Sequence, residues 1–389
     1  MLRANGPAVV LLCLLGMLSY ARRTTTAQSH AAGDKFAFWY ESWKPDVTLK
    51  KLQPADVLVG APASAIPEIH KGGKRVLQYV TYYQSHIPGP FLSDINDVPN
   101  VAFRLKGTFL TSVFGKDRYV LCPNSAQLRD RVLRYVDESL KQGYDGYFID
   151  NTFIDPAAHA ICDATHEHIS RDITGGSSYV QLVAAVRQKL KAAKPDALLI
   201  VNPGSPGSLA SIAPQGSSLW DLSDYVLWES YGYTSIAGPK HDDWKHTIDQ
   251  SFAFAAAPDK ARKMLALSYP RNVEEARFAF AVAQIFGFKW TCNLGENQQD
   301  KNEDGGHYGA FLNDVPFELG EPLGKLPAKS VHLSHREFSH GEIFVNTGDT
   351  AQSISIPRNE VLAGSTNVSD HVRTMQLAPM STAILLRKH

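Results

Sequence analysis

The sequence predicts an α/β fold, a (β/α)8 TIM barrel followed by a small C-terminal antiparallel β domain. Two observations lead to this prediction. From Lys35 onward, eight short apolar runs alternate with loops and helical patterns, giving eight strand–helix units in about 260 residues. After Pro327 the pattern changes to short strands separated by turns, with no helical period.

The eight runs are almost continuously apolar, as parallel strands buried on both faces should be. In chain order they are KFAFWYES (35–42), DVLVGAP (56–62), RVLQYVTYY (75–83), GYFIDN (146–151), ALLIVNPG (197–204), DYVLWESYG (224–232), KMLALSYP (263–270) and GFKWTCNL (287–294). A doubly wound parallel sheet is the alternative, but it usually has fewer strands and a glycine-rich first turn, which this sequence lacks.

Three of the segments between these runs carry clear helical signals. The stretch 126–143 places its apolar residues on one face and ends at Gly143. A second predicted helix, 178–195, ends at a proline, and a third, 273–287, begins with acidic residues and ends at a glycine.

The C-terminal residues 328–389 contain four predicted strands, GEIFVNTG, QSISIP, VRTMQL and STAILLR. The boundary with the barrel, which we place over 28–327, lies in the proline-containing stretch 315–328. Because the aromatic residues of this domain are only Phe338 and Phe344, we expect a structural cap on the barrel rather than a sugar-binding module.

Residues 1–27 have the pattern of a secretory signal. Arg3 precedes an apolar run over 8–18, and small residues follow as far as Ala21 or Ala27. We therefore expect an extracellular or periplasmic protein. The apolar run is too short to span a bilayer, and no later run reaches 18 apolar residues, so the sequence predicts no membrane span.

Composition excludes several classes of protein. The chain is 44% hydrophobic and 20% charged, which is typical of a globular protein. Its 39 basic side chains balance 39 acidic ones, so no basic footprint indicates nucleic acid as a partner. We expect a monomer.

Three cysteines follow the signal segment: Cys122, Cys162 and Cys292. Cys122 follows strand three and Cys162 lies in the long loop after strand four, so both loops reach the same rim of the barrel. We therefore predict a Cys122–Cys162 disulfide and a buried free thiol at Cys292. The spacing of the three cysteines does not resemble a zinc site.

Two further patterns suggest metal binding only weakly. The loop 300–305 begins like a calcium loop, but position 12 is Phe311 where an EF-hand needs glutamate. His159, His166 and His168 lie in one long loop without ligands from other strand ends, so we interpret that loop as surface. The sequence predicts neither a metal nor a cofactor.

Catalytic residues of a barrel lie at the C-terminal ends of its strands. Asp150 and Glu229 each follow a buried apolar strand directly, where an unpaired charge is costly. Both should project toward the same rim, and a carboxylate pair suits glycoside hydrolysis. The structural alternative is that both acids cap loops or pair with Arg271.

Other polar and aromatic residues near the strand ends are candidates for binding sugar, the aromatic ones by stacking on sugar faces. Glu41 either binds the substrate directly or positions another residue that does. The candidates are Trp39, Glu41, Tyr82, Asn151, Asn202, Trp228, Tyr231, Tyr269, Arg271 and Asn293.

The phrase GYDGYFIDN (143–151) resembles a strand-four phrase of secreted barrel glycosidases. The family it is most similar to is the endo-α-1,4-polygalactosaminidase family, with its neighbouring glycoside hydrolases. That family pairs an aspartate at the end of strand four with a glutamate at the end of strand six, which Asp150 and Glu229 match. The resemblance spans 35–297, and the chain departs from it in the long loop 152–177 and the C-terminal domain.

The resemblance implies a secreted glycoside hydrolase that acts, without a cofactor, on an extracellular or cell-wall polysaccharide or its oligosaccharides, including those with amino sugars. By analogy with related barrels, Asp150 would be the nucleophile and Glu229 the acid/base, with the reverse assignment open and the choice between retaining and inverting chemistry unresolved. The alternatives are a non-catalytic carbohydrate-binding barrel and a metal-dependent polysaccharide deacetylase.

Overall fold

The computed structural model describes residues 35–38, 54–112, 115–150, 157–203, 219–232, 244–270, 272–292, 310–326, 332–358, 360–363 and 373–387. All of them belong to one compact unit, Asp34–His389. The expected signal segment, 1–27, lies outside the described residues, and so does the loop 300–305. No helix within the described ranges is long and apolar enough to cross a membrane.

Eight parallel strands form one sheet whose spatial order is their order in the chain. Each lies within one of the eight predicted apolar runs. They are β1 (Phe36–Phe38), β2 (Val57–Val59), β3 (Arg75–Thr81), β4 (Gly146–Asp150), β5 (Leu198–Val201), β6 (Tyr225–Trp228), β7 (Met264–Ser268) and β8 (Lys289–Cys292). The sheet is nearly closed, because the Thr291 hydroxyl in β8 donates a hydrogen bond to the Phe36 carbonyl in β1 at 2.7 Å.

Side chains of these strands alternate between two separate apolar layers, as the period of two in a strand requires. The inner layer fills the space enclosed by the sheet, and the outer layer lies against the helices. The inner layer comprises Phe36, Phe38, Val57, Val59, Leu77, Phe148, Leu198, Ile200, Leu227, Leu265 and Leu267.

The described helices include all three that the sequence predicts. They are α1 (Ile66–Lys71), α2 (Val98–Val101), α3 (Ala126–Lys141), α4 (Gly175–Ala193), α5 (Leu219–Leu222), α6 (Trp244–Ala255), α7 (Pro258–Lys263) and α8 (Val273–Phe286). Side-chain caps define where the longer ones begin, since Ser125, Thr174 and Asn272 each accept a hydrogen bond from the first turn of α3, α4 and α8.

The base of β4 is fixed by Asp145, the residue before the strand. Its carboxylate accepts hydrogen bonds from the Val76 amide at 2.8 Å, from His70 Nε2 at 2.7 Å and from the Lys194 ammonium. Burial alone would raise the pKa of Asp145, but these donors outweigh it and hold the pKa below its usual range. The next residue, Gly146, has φ 154°, and a Cβ there would lie 2.0 Å from the Leu198 carbonyl oxygen.

The segment between β3 and α3 carries β structure that the sequence does not predict. Strands Gln84–His86, Thr111–Ser112 and Gly115–Val120 form a three-stranded sheet, and Arg104–Leu105 pairs with Thr108–Phe109. These strands are short and only partly buried, so they show no apolar run.

The C-terminal strands form an antiparallel sheet with the order β9-β10-β11-β15-β13 and a separate β12-β14 pair. This confirms the four predicted strands. The first strand of the sheet begins at Pro322, within the predicted boundary stretch 315–328, and pairs with Phe338. The strands are β9 (Pro322–Leu323), β10 (Leu333–Phe338), β11 (Gly341–Asn346), β12 (Gln352–Ile356), β13 (Glu360–Leu362), β14 (Arg373–Leu377) and β15 (Ser381–Arg387).

This sheet packs directly on α8, the last described helix of the barrel. Arg336 in β10 donates to the backbone carbonyls of Gln284 at 3.1 Å and Ile285 at 2.6 Å. Its guanidinium therefore completes hydrogen bonds that the last turn of a helix leaves unpaired.

The cysteines depart from one expectation. Cys122 and Cys162 are buried free thiols, so the predicted disulfide is not formed. The two loops do meet as expected, but their sulfurs lie within 4.8 Å of each other in a cluster with two histidines rather than in a covalent bond. Cys292 is a buried free thiol, which confirms that prediction.

Candidate active site

Five polar side chains meet at the C-terminal end of the space enclosed by the sheet. Each lies two residues beyond the last apolar side chain of the inner layer in its strand, so the period of two aims it at the same space. The five are Tyr79, Asp150, Asn202, Glu229 and Tyr269, which follow Leu77, Phe148, Ile200, Leu227 and Leu267 respectively.

One amide group joins the two predicted catalytic acids. The Asn202 Nδ2 donates to Asp150 Oδ1 at 2.7 Å and to Glu229 Oε2 at 2.7 Å. Both oxygens touch the same nitrogen, so they lie at most twice 2.7 Å, or 5.4 Å, apart. The strand ends therefore bring the two acids together, rather than leaving each to cap its own loop.

Two tyrosines complete the hydrogen bonding of the pair. The Tyr269 hydroxyl donates to Glu229 Oε1 at 2.9 Å, and the Tyr79 hydroxyl donates to Asp150 Oδ2. Each carboxylate thus accepts one hydrogen bond from a tyrosine of its own and one from the shared Asn202.

Burial raises the pKa of Glu229, and the charge of Asp150 raises it further, while the hydrogen bonds from Asn202 and Tyr269 oppose the rise only in part. Burial and then the neighbouring Asp150 also raise the pKa of Tyr79 well above its usual range, so this phenol stays protonated as a donor. Two nearby carboxyl groups with different surroundings can hold different protonation states, as acid–base chemistry requires.

Three of the predicted sugar-binding aromatic residues lie elsewhere. Tyr82, Trp228 and Tyr231 are buried in the outer apolar layer, so the prediction that they stack on sugar is wrong. Trp228 is one residue out of phase with Glu229 and therefore faces the helices. Tyr82 follows the end of β3 and packs on Phe91, with ring centroids 5.5 Å apart.

Tyr231 lies two residues after Glu229 but does not point into the space enclosed by the sheet, because the chain turns at Ser230, whose φ is 58°. Its hydroxyl lies 3.1 Å from the Ser251 Oγ in α6, and its ring packs edge-on against Trp244. A ring held on both sides in this way is part of the core.

Of the other predicted residues, Asn202 and Tyr269 contact the carboxylates directly. Five lie outside the described residues: Trp39, Glu41, Asn151, Arg271 and Asn293.

Sequence reasoning missed Tyr79. It placed the end of strand three at Tyr83, whereas β3 ends at Thr81. The alternation from Leu77 would have identified Tyr79 as the inward residue. The inserted strand Gly115–Val120 adds a second missed residue, Arg118, whose positive charge acts on the Tyr79 hydroxyl and favours its ionised form.

None of the five residues at this rim belongs to a group with metal-ligand geometry. The described residues contain such a group elsewhere, formed by Cys122, Cys162, His166 and His168.

Three solved structures are similar to this chain. Amy13B of Eubacterium rectale is 9% identical with a TM-score of 0.56, and the alignment covers 92% of this chain and 96% of that chain. The ligand-free cyclic α-maltosyl-(1→6)-maltose hydrolase of Arthrobacter globiformis is 13% identical with a TM-score of 0.55, covering 92% and 100%. The glycoside hydrolase domain of PelA from Pseudomonas aeruginosa is 18% identical with a TM-score of 0.44, covering 68% and 96%.

No family model matches the chain, and no curated protein matches its sequence. The likeness to the first two structures establishes the fold, which is that of barrel-shaped glycoside hydrolases.

Proposed function

We propose that this protein is a retaining glycoside hydrolase in which Asp150 is the nucleophile and Glu229 is the acid/base. The observation that carries the proposal is the pair of carboxylate oxygens at most 5.4 Å apart, joined by Asn202 at the mouth of a barrel-shaped sheet. Retaining glycosidases place their carboxyl groups about 5–5.5 Å apart and inverting ones about 6.5–9.5 Å apart, so a single amide nitrogen bonded to both carboxylates favours the closer, retaining arrangement.

The surroundings of the two acids support these roles. The raised pKa of Glu229 favours its protonated form, which a general acid needs. Asp150 accepts hydrogen bonds from Tyr79 and Asn202, and both donors stabilise a carboxylate.

In the first step, an Asp150 oxygen bonds to the anomeric carbon while the glycosidic C–O bond breaks and the Glu229 proton goes to the leaving oxygen. In the second step, Glu229 takes a proton from water, the hydroxide oxygen bonds to the anomeric carbon, and the ester to Asp150 breaks. Both residues return to their starting states, so the reaction needs no cofactor.

For the substrate we propose a polysaccharide outside the cell, with amino-sugar polymers as the first to test. The GYDGYFIDN phrase supports this choice, because it resembles that of endo-α-1,4-polygalactosaminidases, and so does the secretory pattern over 1–27. We propose membership of that group on the same grounds.

The test is to assay Asp150→Asn and Glu229→Gln against a panel of polysaccharides, measuring new reducing ends. Each variant should lose at least ~100-fold in turnover, as removal of a general acid or a nucleophile typically does. The matched control is Asp196→Asn, an exposed acid, which should keep wild-type activity.

Proton NMR of the first-formed product shows the stereochemistry of the reaction. A retaining mechanism requires that this product has the same anomeric configuration as the substrate. An inverted anomer would overturn the retaining mechanism. Near wild-type turnover in either variant would overturn that residue's role. Binding of polysaccharide with no release of reducing ends would instead identify a non-catalytic carbohydrate-binding barrel.

A further inference from the structure

A cluster of two cysteines and two histidines lies outside the candidate active site. Cys122 follows the inserted β structure, and Cys162, His166 and His168 belong to the loop between β4 and α4. One ligand atom from each of the four side chains lies within 4.8 Å of all the others. Both sulfurs are buried, and the two imidazoles are half-buried.

We propose that these four side chains bind one structural zinc ion. Zinc is bound tetrahedrally by two thiolates and two imidazoles in many structural sites, with Zn–S bonds of about 2.3 Å and Zn–N bonds of about 2.0–2.1 Å, which puts the ligand atoms about 3.3–3.8 Å apart. The Cys162 Sγ and His166 Nε2 lie 4.0 Å apart, so only a small contraction is needed.

The surroundings of His166 already prepare it as a ligand. Its Nδ1 lies 3.0 Å from the Pro99 carbonyl oxygen, which accepts only if that nitrogen carries the proton. The lone pair is then on Nε2, the atom that faces Cys162. Metal-binding histidines are fixed in this way by a carbonyl or a carboxylate on the other nitrogen.

His168 supplies an independent observation. Its Nε2 is shielded from solvent and has no hydrogen-bond partner among the described residues. A buried polar nitrogen without a partner is costly, and a metal ion at the centre of the cluster would remove that cost.

The backbone supports one of the two sulfurs as a ligand, because the Arg104 amide donates to the Cys162 Sγ at 3.4 Å. A buried group of two thiolates is neutralised by one divalent cation, and two sulfur and two nitrogen ligands favour zinc.

The backbone holds the cluster together before any metal binds. The Ile169 amide donates to the Asn124 carbonyl at 2.9 Å, and the Ala126 amide donates to the Glu167 carbonyl at 3.0 Å. The Asp163 amide donates to the Arg104 carbonyl at 3.0 Å. The segments carrying the ligands are therefore fixed next to each other.

A zinc ion with four protein ligands has no open position for water, so its role is structural. It would tie the loop 157–174 to the segment after the inserted strands. Residues 157–174 belong to the loop that follows Asp150 in the chain, so the ion would fix this part of the loop next to the barrel.

The first experiment measures zinc in the purified full-length chain by elemental analysis, without added reductant or chelator. We expect one zinc per chain in the wild type and in His159→Ala, a matched control that changes an exposed histidine of the same loop. Cys162→Ser and His168→Ala should bind zinc at least ~100-fold more weakly, since even outer-shell changes cost metal sites 10–100-fold.

The second experiment needs no variant, so it stands even where a variant fails to fold. Native wild-type protein is treated with a thiol-alkylating reagent, with chelator or reductant added separately. Zinc binding predicts that Cys122 and Cys162 become reactive with chelator alone, while the fully buried Cys292 stays protected. Adding Zn2+ back to the chelated protein should then raise its Tm by about 5 °C or more.

Two results would overturn the proposal. In the first, the two cysteines become reactive toward alkylation with reductant but not with chelator. This would show a Cys122–Cys162 disulfide in solution. Alkylation of both thiols without chelator, together with a Tm that does not respond to Zn2+, would show that the cluster binds no metal. Neither result bears on hydrolysis by Asp150 and Glu229.

Discussion

Neutralising Asp150 should lower the pKa of Glu229. The charge of Asp150 raises the pKa of Glu229, and the facing oxygens lie at most 5.4 Å apart. At that separation, with an effective dielectric constant of about 20, two unit charges repel by about 3 kcal/mol. Asp150→Asn removes that repulsion, so it should shift the Glu229 titration downward.

The titration can be followed by the carboxyl 13C signal of Glu229, assigned by its absence in Glu229→Gln. Asn202→Ala should move the same signal in the opposite direction, because it removes a donor that lowers the pKa of Glu229. A hydrogen bond to a charged group contributes about 1.5–3 kcal/mol, which is large enough for the upward shift to be measured.

Asn96→Ala, which changes an exposed asparagine, controls for the substitution itself and should leave the Glu229 signal unchanged. If Asp150→Asn leaves the pKa of Glu229 unchanged or raises it, the two carboxylates do not interact as described. The assignment of Glu229 as the protonated partner would then lose its electrostatic basis.

Three further predictions concern stability, each measured by urea unfolding. Gly146→Ala should cost about 1–3 kcal/mol, because its Cβ would meet the Leu198 carbonyl. Asp145→Asn should cost about 3–5 kcal/mol at pH 7. Because the folded pKa of Asp145 is depressed, that difference should shrink as pH falls below about 4, and a constant difference would contradict it. Arg336→Ala should cost about 1.5–3 kcal/mol through its lost contacts with α8, whereas the exposed control Arg358→Ala should cost less than about 0.5.

The strands were predictable because burial on both faces leaves a continuous apolar run that needs no knowledge of the partner strand. The same local signal located Asp150 and Glu229, which end such runs. The same signal failed at Trp228 and Tyr82. A position near the end of a strand does not show whether the side chain faces the enclosed space or the helices. Counting in steps of two from Leu77 would have selected Tyr79 instead.

The cysteine–histidine cluster shows a different limit. Cys122 and Cys162 are 40 residues apart, and the inserted strands that position Cys122 carry no apolar pattern. The strand order predicts that the Cys122 and Cys162 loops meet at one rim, but neither the cysteine spacing nor the histidines in one loop reveals that His166 and His168 join the two sulfurs. Only the tertiary structure brings the four ligand atoms within 4.8 Å.

The two ends of strand β4 have different roles. Asp145 anchors the base of the sheet, and Asp150 lies at the rim, five residues and about 17 Å further along a strand that is buried up to Ile149. Substitutions at the two ends should therefore have separable effects, since one end contributes to the stability of the sheet and the other carries a carboxylate of the candidate site.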